Sequence, residues 1–114
     1  MIHYGMTKTA QLAVARGLAE TTAGTNVTVN AVLPGPTASE GVVGFVDQMA
    51  TAASKTREQI EKDFFEHIRP SSLIKRFEQP AEIANVVAFL ASPLSSAING
   101  AAVRAEAGVV RSIG

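Results

Sequence analysis

Apolar positions in the first quarter of the chain follow a helical pattern. Residues 5–23 are rich in alanine and leucine, lack proline, and repeat small or apolar residues at helical spacing: Leu12, Ala15, Leu18 and Ala19. Small side chains let another helix or a sheet approach closely, so we expect this helix to be buried on more than one side. The sequence TAGTN at 22–26 supplies a glycine that would end the helix.

The pattern then changes to that of a strand. VTVNAVLPG at 27–35 is β-branched, apolar and uncharged, and it ends in Pro34-Gly35, which predicts a short buried strand. A buried strand directly after a helix is typical of a parallel sheet covered on both faces.

The middle of the chain contains one weak and one strong helical pattern. Residues 36–55 mix small residues with further glycines, so we expect irregular structure with short, mobile helix. Thr56 and Gln59 then fit a capping box, and Ile60, Phe64 and Ile68 recur every four residues before Pro70. This spacing predicts an amphipathic helix.

The C-terminal third predicts a loop, a helix and a strand. SSLIKRFEQ reads as a connecting loop, and Pro80 stands where a first helical residue is expected, before Ile83, Val87 and Leu90. Ser92-Pro93 would end this helix, and Asn99-Gly100 would turn the chain into a last strand, AAVRAEAG.

The element order is helix, strand, helices, strand, which corresponds to one βαβ unit preceded by a helix. We therefore predict an α/β fold, part of a doubly wound parallel sheet. Two strands make a marginal sheet, because a stable open sheet usually has about four or more. We expect residues 1–114 to form a single partial domain, incomplete as a self-sufficient fold.

Composition narrows the function classes. Ten acidic and ten basic residues are scattered along the chain and give a formal charge of zero, so we expect neither a nucleic acid nor a membrane as partner. The chain has no cysteine, which agrees with a reducing compartment but equally with chance. No leader sequence or apolar run of membrane-spanning length is visible, which predicts a cytoplasmic protein.

HYGMTK at 3–8 carries the most specific chemistry. Tyr4 and Lys8 are four residues apart, so a helix places both side chains on one face. A phenol is a poor acid or base at neutral pH, and a neighbouring ammonium favours its charged form. The pair could therefore exchange protons with a ligand. The spacing alone favours a solvated lysine beside a half-buried tyrosine, because tyrosine and lysine fall four residues apart in many helices by chance.

Three segments in order resemble the C-terminal half of the short-chain dehydrogenase/reductase family. They are YGMTKTAQLAVARGLAE, VTVNAVLPGPT and RFEQPAEIANVVAFLASPLSSAINGAAV, which together cover essentially the whole chain. The resemblance implies an NAD- or NADP-dependent oxidoreductase that transfers hydride between the nicotinamide cofactor and a carbonyl or alcohol substrate.

The resemblance also implies roles for individual residues. Tyr4 matches the family's general acid/base, and Lys8 matches the lysine that binds the nicotinamide ribose and lowers the tyrosine pKa. Pro34 and Gly35 match the turn whose following residues contact the nicotinamide carboxamide. Thr37 is the first candidate for that contact and Ser39 the second. A plain strand-ending turn is the alternative reading of Pro34-Gly35.

Two departures from the family pattern stand out. Only three residues precede Tyr4, so the family's glycine-rich nucleotide-binding half and its catalytic serine and asparagine have no counterpart here. Near the end, Glu106 and Ala107 stand where the family commonly has aspartate and glycine. His3 and His67 match no catalytic position and have no acidic or second-histidine partner at ligand spacing, so we predict no metal site.

Two functions remain open. The chain could be part of a nicotinamide-dependent oxidoreductase, inactive when isolated, or a complete non-catalytic module that assembles through its uncovered faces. In either case we expect a homodimer or higher homo-oligomer, because an uncharged strand edge and an alanine-rich helix face would lack cover. The substrate and the choice between NAD and NADP stay undetermined.

Overall fold

The computed structural model describes residues 1–113. It confirms the α/β fold class, with two strands paired in parallel. Gly100 N donates to Val29 O and Ala31 N to Ala101 O, both at 2.9 Å. The elements, in chain order, are α1 (Ile2–Thr21), β1 (Ala31–Pro34), α2 (Glu40–Ala53), α3 (Arg57–Asp63), a π-helical turn (Phe64–Ile68), α4 (Pro80–Leu90), a 3-10 turn (Pro93–Ser95) and β2 (Ala102–Ala105).

The chain divides into two compact units. The first contains residues 1–33 and 85–104, and the second contains residues 34–84 and the chain from residue 105 onward. In the first unit, α1 is much more exposed than its small residues predict. Every residue from Met1 to Gln11 is exposed, and Ala19 alone among the residues of α1 is buried. The expected burial of α1 on several sides is therefore wrong, because no element of this unit covers its first three turns.

β1 is shorter and less buried than predicted. It begins at Ala31 rather than at Val27, which is 54% exposed, and residues 31–33 are only half-buried. Just before β1, asparagine side chains form hydrogen bonds with backbone groups that strand pairing would otherwise use. Asn30 Nδ2 donates to Ile98 O at 2.9 Å, and Val29 N donates to Asn99 Oδ1 at 2.9 Å. Side chains that bond the backbone in this way compete with ladder formation, which the apolar pattern does not reveal.

The second unit contains a regular helix where irregular structure was expected. α2 runs for 14 residues from Glu40 to Ala53, so the expectation of short, mobile helix at 36–55 is wrong. Its two glycines are tolerated because neither adopts a positive φ angle and both face open space. The backbone thus continues through residues that lower helix propensity without forbidding it.

The capping box predicted at Thr56 is confirmed, and the helix it begins ends in a wider turn. Thr56 Oγ1 accepts from Gln59 N, and Thr56 N donates to Gln59 Oε1 at 2.9 Å. After Asp63 the winding becomes π-helical, with Arg69 N donating to Phe64 O. Since a π turn adds a residue, the buried position after Ile60 is Phe65, 1% exposed, whereas Ile68 is 52% exposed. Of the three residues in the expected four-residue repeat, Ile60 is therefore buried, Phe64 half-buried and Ile68 exposed.

Aromatic contacts form the centre of the second unit. The Phe65 ring lies edge-on to those of Phe64 and Phe77, with centroids 5.0 and 5.1 Å apart. Phe77 comes from the loop predicted at 71–79, which is confirmed as a connection. This packing holds the loop against the π-helical turn, and α4 then begins at Pro80 as expected.

Candidate functional site

Tyr4 and Lys8 lie together on one exposed face of α1. The Lys8 Nζ atom is 5.6 Å from the centroid of the Tyr4 ring, a cation–π arrangement, and Tyr4 is 51% exposed. Thr7 Oγ1 donates to Tyr4 O at 2.9 Å and so occupies a backbone acceptor on this turn. The phenol and the ammonium are thus both accessible to a ligand. Their predicted catalytic roles stay a prediction.

The turn after β1 belongs to the second unit, and its glycine is fixed by neighbours within the chain. Gly35 N donates to both Ala105 O and Glu78 Oε2, each at 3.0 Å. A Cβ atom at Gly35 would lie 2.7 Å from Glu106 Cα and 2.9 Å from Glu106 O. Close backbone contact therefore requires glycine here, and its amide is already engaged within the protein.

Thr37 and Ser39 differ in how far their hydroxyl groups are engaged. Thr37 is half-buried, and its Oγ1 donates to Gly35 O at 3.0 Å. Ser39 is exposed and occupies the N-cap of α2, but its side chain makes no capping bond. Pro34 is also exposed. The structure thus brings Tyr4 and Lys8 together in the first unit, and the candidate loop residues together in the second.

Glu78 is a buried acid at this loop that the sequence pattern did not single out. It is only 6% exposed, and it faces Thr37 across an isolated parallel bridge. Burial raises the pKa of its carboxyl, and the carboxylates of Glu82 and Glu106 raise it further. Bonds from the Gly35 and Ala107 backbones oppose this change. The sequence around Glu78 gives no sign that this acid is buried, because the amide that it binds, that of Gly35, lies 43 residues away in the chain.

An ion pair joins the residues on either side of Glu78 in the chain. Arg76 Nη1 and Nη2 lie 2.8 Å from the Glu82 Oε2 and Oε1 atoms respectively, a bidentate arrangement. Gln79 N also donates to Glu82 Oε2 at 2.7 Å. The Arg76 guanidinium, followed by the Gln79 amide, lowers the pKa of Glu82 to about 2. Glu82 is therefore charged across the ordinary pH range.

The second unit also contains a small cavity of about 130 Å³ beside α2 and α3. Most of its lining residues are apolar, but the lining also includes Glu61, whose carboxylate accepts from Phe77 N at 2.7 Å. The space would hold only a small group, such as a short aliphatic chain. The lining residues are Ala38, Val42, Val43, Val46, Arg57, Glu61, Phe77 and Gln79.

His67 has acidic neighbours within one helical turn, contrary to the prediction from sequence. Ligand atoms of Asp63, Glu66 and His67 lie within 4.8 Å of one another, so the statement that His67 lacks an acidic partner is wrong. One helical turn places these residues together. Lys55 Nζ, however, lies 2.5 Å from Asp63 Oδ2, and Lys62 Nζ lies 3.8 Å from Glu66 Oε1. Both carboxylates are thus paired with ammonium groups that a cation would have to displace.

Comparison with known proteins places the chain in a family. The family model described as Enoyl-(Acyl carrier protein) reductase matches residues 1–110. The chain belongs to the short-chain dehydrogenase/reductase family, as the resemblance predicted. No helix within residues 1–113 is long and apolar enough to cross a membrane.

Individual relatives agree with this assignment. The chain is 51% identical over 113 residues to the uncharacterized oxidoreductase YvrD of Bacillus subtilis, covering 99% of this chain and 43% of that protein. The crystal structure of YwfH, an NADPH-dependent reductase involved in bacilysin biosynthesis, matches with a TM-score of 0.79 at 27% identity, covering 99% of this chain and 41% of that one. The angucycline C-6 ketoreductase LanV with bound NADP matches with a TM-score of 0.74 at 28% identity, covering 98% and 38%. The chain thus spans about two fifths of the length of these relatives.

Proposed function

We propose that this chain carries the proton-transfer pair of an NAD- or NADP-dependent oxidoreductase that interconverts a carbonyl and an alcohol. The observation that carries the proposal is the Tyr4–Lys8 pair on one accessible face of α1, in a chain that belongs to this family. The bound nicotinamides named in the structures of two relatives support the choice of cofactor.

In this proposal Tyr4 is the general acid/base. Its hydroxyl gives a proton to the substrate oxygen during carbonyl reduction and accepts one during alcohol oxidation, while the nicotinamide, when bound, supplies or takes up hydride. Lys8 stabilises the phenolate form of Tyr4, and its ammonium group donates hydrogen bonds to the ribose hydroxyls of the nicotinamide. Thr37 and Ser39, after the Pro34-Gly35 turn, position the carboxamide.

Taken separately, each unit offers polar groups for the nicotinamide end of the cofactor rather than for its pyrophosphate. Tyr4, Lys8 and Ser39 expose polar groups, whereas the Gly35 amide is already engaged. The sequence contains no G-x-G-x-x-G pattern that could cradle a phosphate at the start of a helix. We therefore expect the isolated chain to bind either cofactor very weakly and to show no measurable turnover. Micromolar affinity in calorimetric titration would contradict this expectation.

The catalytic role is tested by joining residues 1–114 to the upstream part of YvrD, a relative with 51% identity. The chimera should reduce small carbonyl compounds with NADH or NADPH, and Tyr4→Phe should lower kcat by about 100-fold or more, since no other group takes over the proton transfer. Gln11→Ala, an exposed change on the same helix, is the control. A Tyr4→Phe chimera as active as the control would refute the proposal.

The second candidate is a non-catalytic module that forms a homo-oligomer. The exposed first half of α1 favours it, because apolar residues there have no partner within their unit. The two functions differ in one result. A chimera that binds a cofactor and loses its activity in Tyr4→Phe would support the enzyme. An isolated chain that forms a stable oligomer, together with a chimera that binds no cofactor, would support the non-catalytic module.

A further inference from the structure

Glu78 lies between the carboxyl ends of the two strands. Its carboxylate accepts from Gly35 N at 3.0 Å, just after β1, and the backbone of Ala107, just after β2, favours its charged form. A carboxylate anion is an acceptor at both oxygens, so it can satisfy two amide donors at once. With 6% exposure, this carboxylate has little access to water as an alternative partner.

The backbone of Glu78 holds the same loop from its other side. Glu78 N donates to Pro36 O at 2.9 Å, and Ala38 N donates to Glu78 O at 2.8 Å. These two bonds flank Thr37, which forms the parallel bridge with Glu78. Residues 35–38 are therefore fixed by three hydrogen bonds to a single residue.

We propose that Glu78 is a positioning residue that holds the loop at 35–39, and with it Thr37, in the conformation that receives the nicotinamide end of the cofactor. The assignment of the loop to the cofactor rests on the proposed function. The clamp itself rests on the hydrogen bonds alone. Glu78 acts through Thr37 and the loop backbone and does not itself take part in the reaction.

The charges around Glu78 make the clamp sensitive to pH. Glu82 of α4 and Glu106 after β2 repel its negative charge, and the Arg76 guanidinium attracts it. Burial and these carboxylates raise the pKa of Glu78. Once protonated, one of its oxygens becomes a donor, and the carboxyl loses the negative charge that strengthens its bond with Gly35 N. The loop should then loosen as pH falls through this raised pKa.

The first experiment follows backbone amides of the isolated chain by NMR between pH 4 and 8. The Gly35 and Ala107 amide resonances should shift together, with a midpoint above the ordinary glutamate value of about 4.3. In Glu78→Gln this shift should vanish, because the amide side chain does not titrate, and Gly35 and Ala38 should exchange hydrogen about tenfold faster. Glu66→Gln, an exposed change, is the control.

The wild-type titration needs no variant, so the clamp can be tested even if Glu78→Gln does not fold. Gly35 and Ala107 resonances that do not move together, or unchanged exchange in a folded Glu78→Gln chain, would overturn the clamp. The second experiment uses the YvrD chimera, where Glu78→Gln should raise the KM for the cofactor several-fold with kcat nearly unchanged.

The results separate the two proposals. An active Glu78→Gln chimera with an unchanged cofactor KM would overturn the positioning role and leave the proposed function standing. A chimera that binds no cofactor at all would overturn the proposed function and the cofactor role of the loop, even where the NMR titration shows the clamp.

Discussion

At the scale of single residues, Ala107 adopts a conformation that suits another amino acid. Its φ angle is +58°, in the left-handed region, at a position where the family commonly has glycine. A Cβ atom makes this region costly, by about 1–2 kcal/mol. The departure in sequence thus corresponds to local backbone strain after β2.

Ala107→Gly should therefore stabilise the chain. Relief of the strain exceeds the extra entropy that glycine gives the unfolded state, so we expect a gain of about 0.5–1 kcal/mol in the free energy of unfolding. Urea unfolding measures it. Ala105→Gly, two residues earlier in β2, is the matched control and should destabilise. A loss of stability in Ala107→Gly would contradict the prediction.

Gly35→Ala should have the opposite effect. The new methyl group would lie 2.7–2.9 Å from backbone atoms of Glu106, which cannot move aside as a flexible side chain could. We expect a loss of about 2 kcal/mol or more from this overpacking, measured by urea unfolding. Gly44→Ala is the control, because its methyl group meets nothing within 4 Å. It lies within α2 and should stabilise by up to about 1 kcal/mol. Equal effects of the two changes would rule out the steric explanation.

Glu82 should keep its charge in strongly acidic solution. The folded-state pKa of about 2 lies below the ordinary value, so the contribution of Glu82 to stability is complete above the ordinary value and is lost as pH falls through about 2. Glu82→Gln should therefore lower the thermal midpoint at pH 7 and have a smaller effect at pH 2. Glu66→Gln, paired with Lys62 at 3.8 Å, should change the midpoint little at either pH. A larger Glu82→Gln effect at pH 2 than at pH 7 would contradict this reasoning.

At the scale of elements, the sequence predicts the start of a helix better than its length and winding. Thr56 and Gln59 are three residues apart, so the capping box could be recognised from the sequence alone. The π-helical turn after Asp63 could not be, because it fits Phe65 against the distant Phe77. α2 was underestimated because glycine weighs against a helix in the sequence, whereas in the structure neither glycine meets a steric obstacle.

Thr56→Ala tests the contribution of the capping box to α3. The change removes the acceptor of the Gln59 amide at the start of a seven-residue helix, so we expect a loss of about 1 kcal/mol in the free energy of unfolding. Ser39→Ala is a matched control, since Ser39 is the N-cap of α2 but forms no side-chain capping bond. Its effect on stability should be clearly smaller. Similar losses for both variants would show that the box contributes nothing specific.

At the scale of the whole molecule, the sequence predicted only those relations within the candidate site that join residues close together along the chain. Tyr4 and Lys8 share a face because helix geometry sets their relation. The hydrogen bond from Gly35 to Glu78 spans 43 residues, and the contact of Gly35 with Glu106 depends on strand pairing. Such relations follow from the fold and leave no local pattern. Residue spacing alone therefore could not identify Glu78.

Because much of its apolar surface is exposed to solvent, we expect the isolated chain to form a homo-oligomer. Within residues 1–113, the hydrophobic side chains classed as buried are Ala19, Ala50, Ile60 and Phe65 alone, too few to offset chain entropy comfortably. β1 pairs with β2 on one side and with no described strand on the other, and such an edge invites pairing with another copy.

α1 adds a second surface for assembly. Ile2 is 91% exposed, Met6 66% and Val14 62%, so an apolar helix face is open to solvent. A two-fold dimer would cover the same surface on both copies, which makes it the simplest closed assembly. Sedimentation equilibrium should give at least twice the chain mass of 11.9 kDa. Met6→Glu, which puts a charge on this face, should shift the equilibrium toward monomer, whereas Glu66→Gln should not. A folded species at 11.9 kDa for the unmodified chain would refute the prediction.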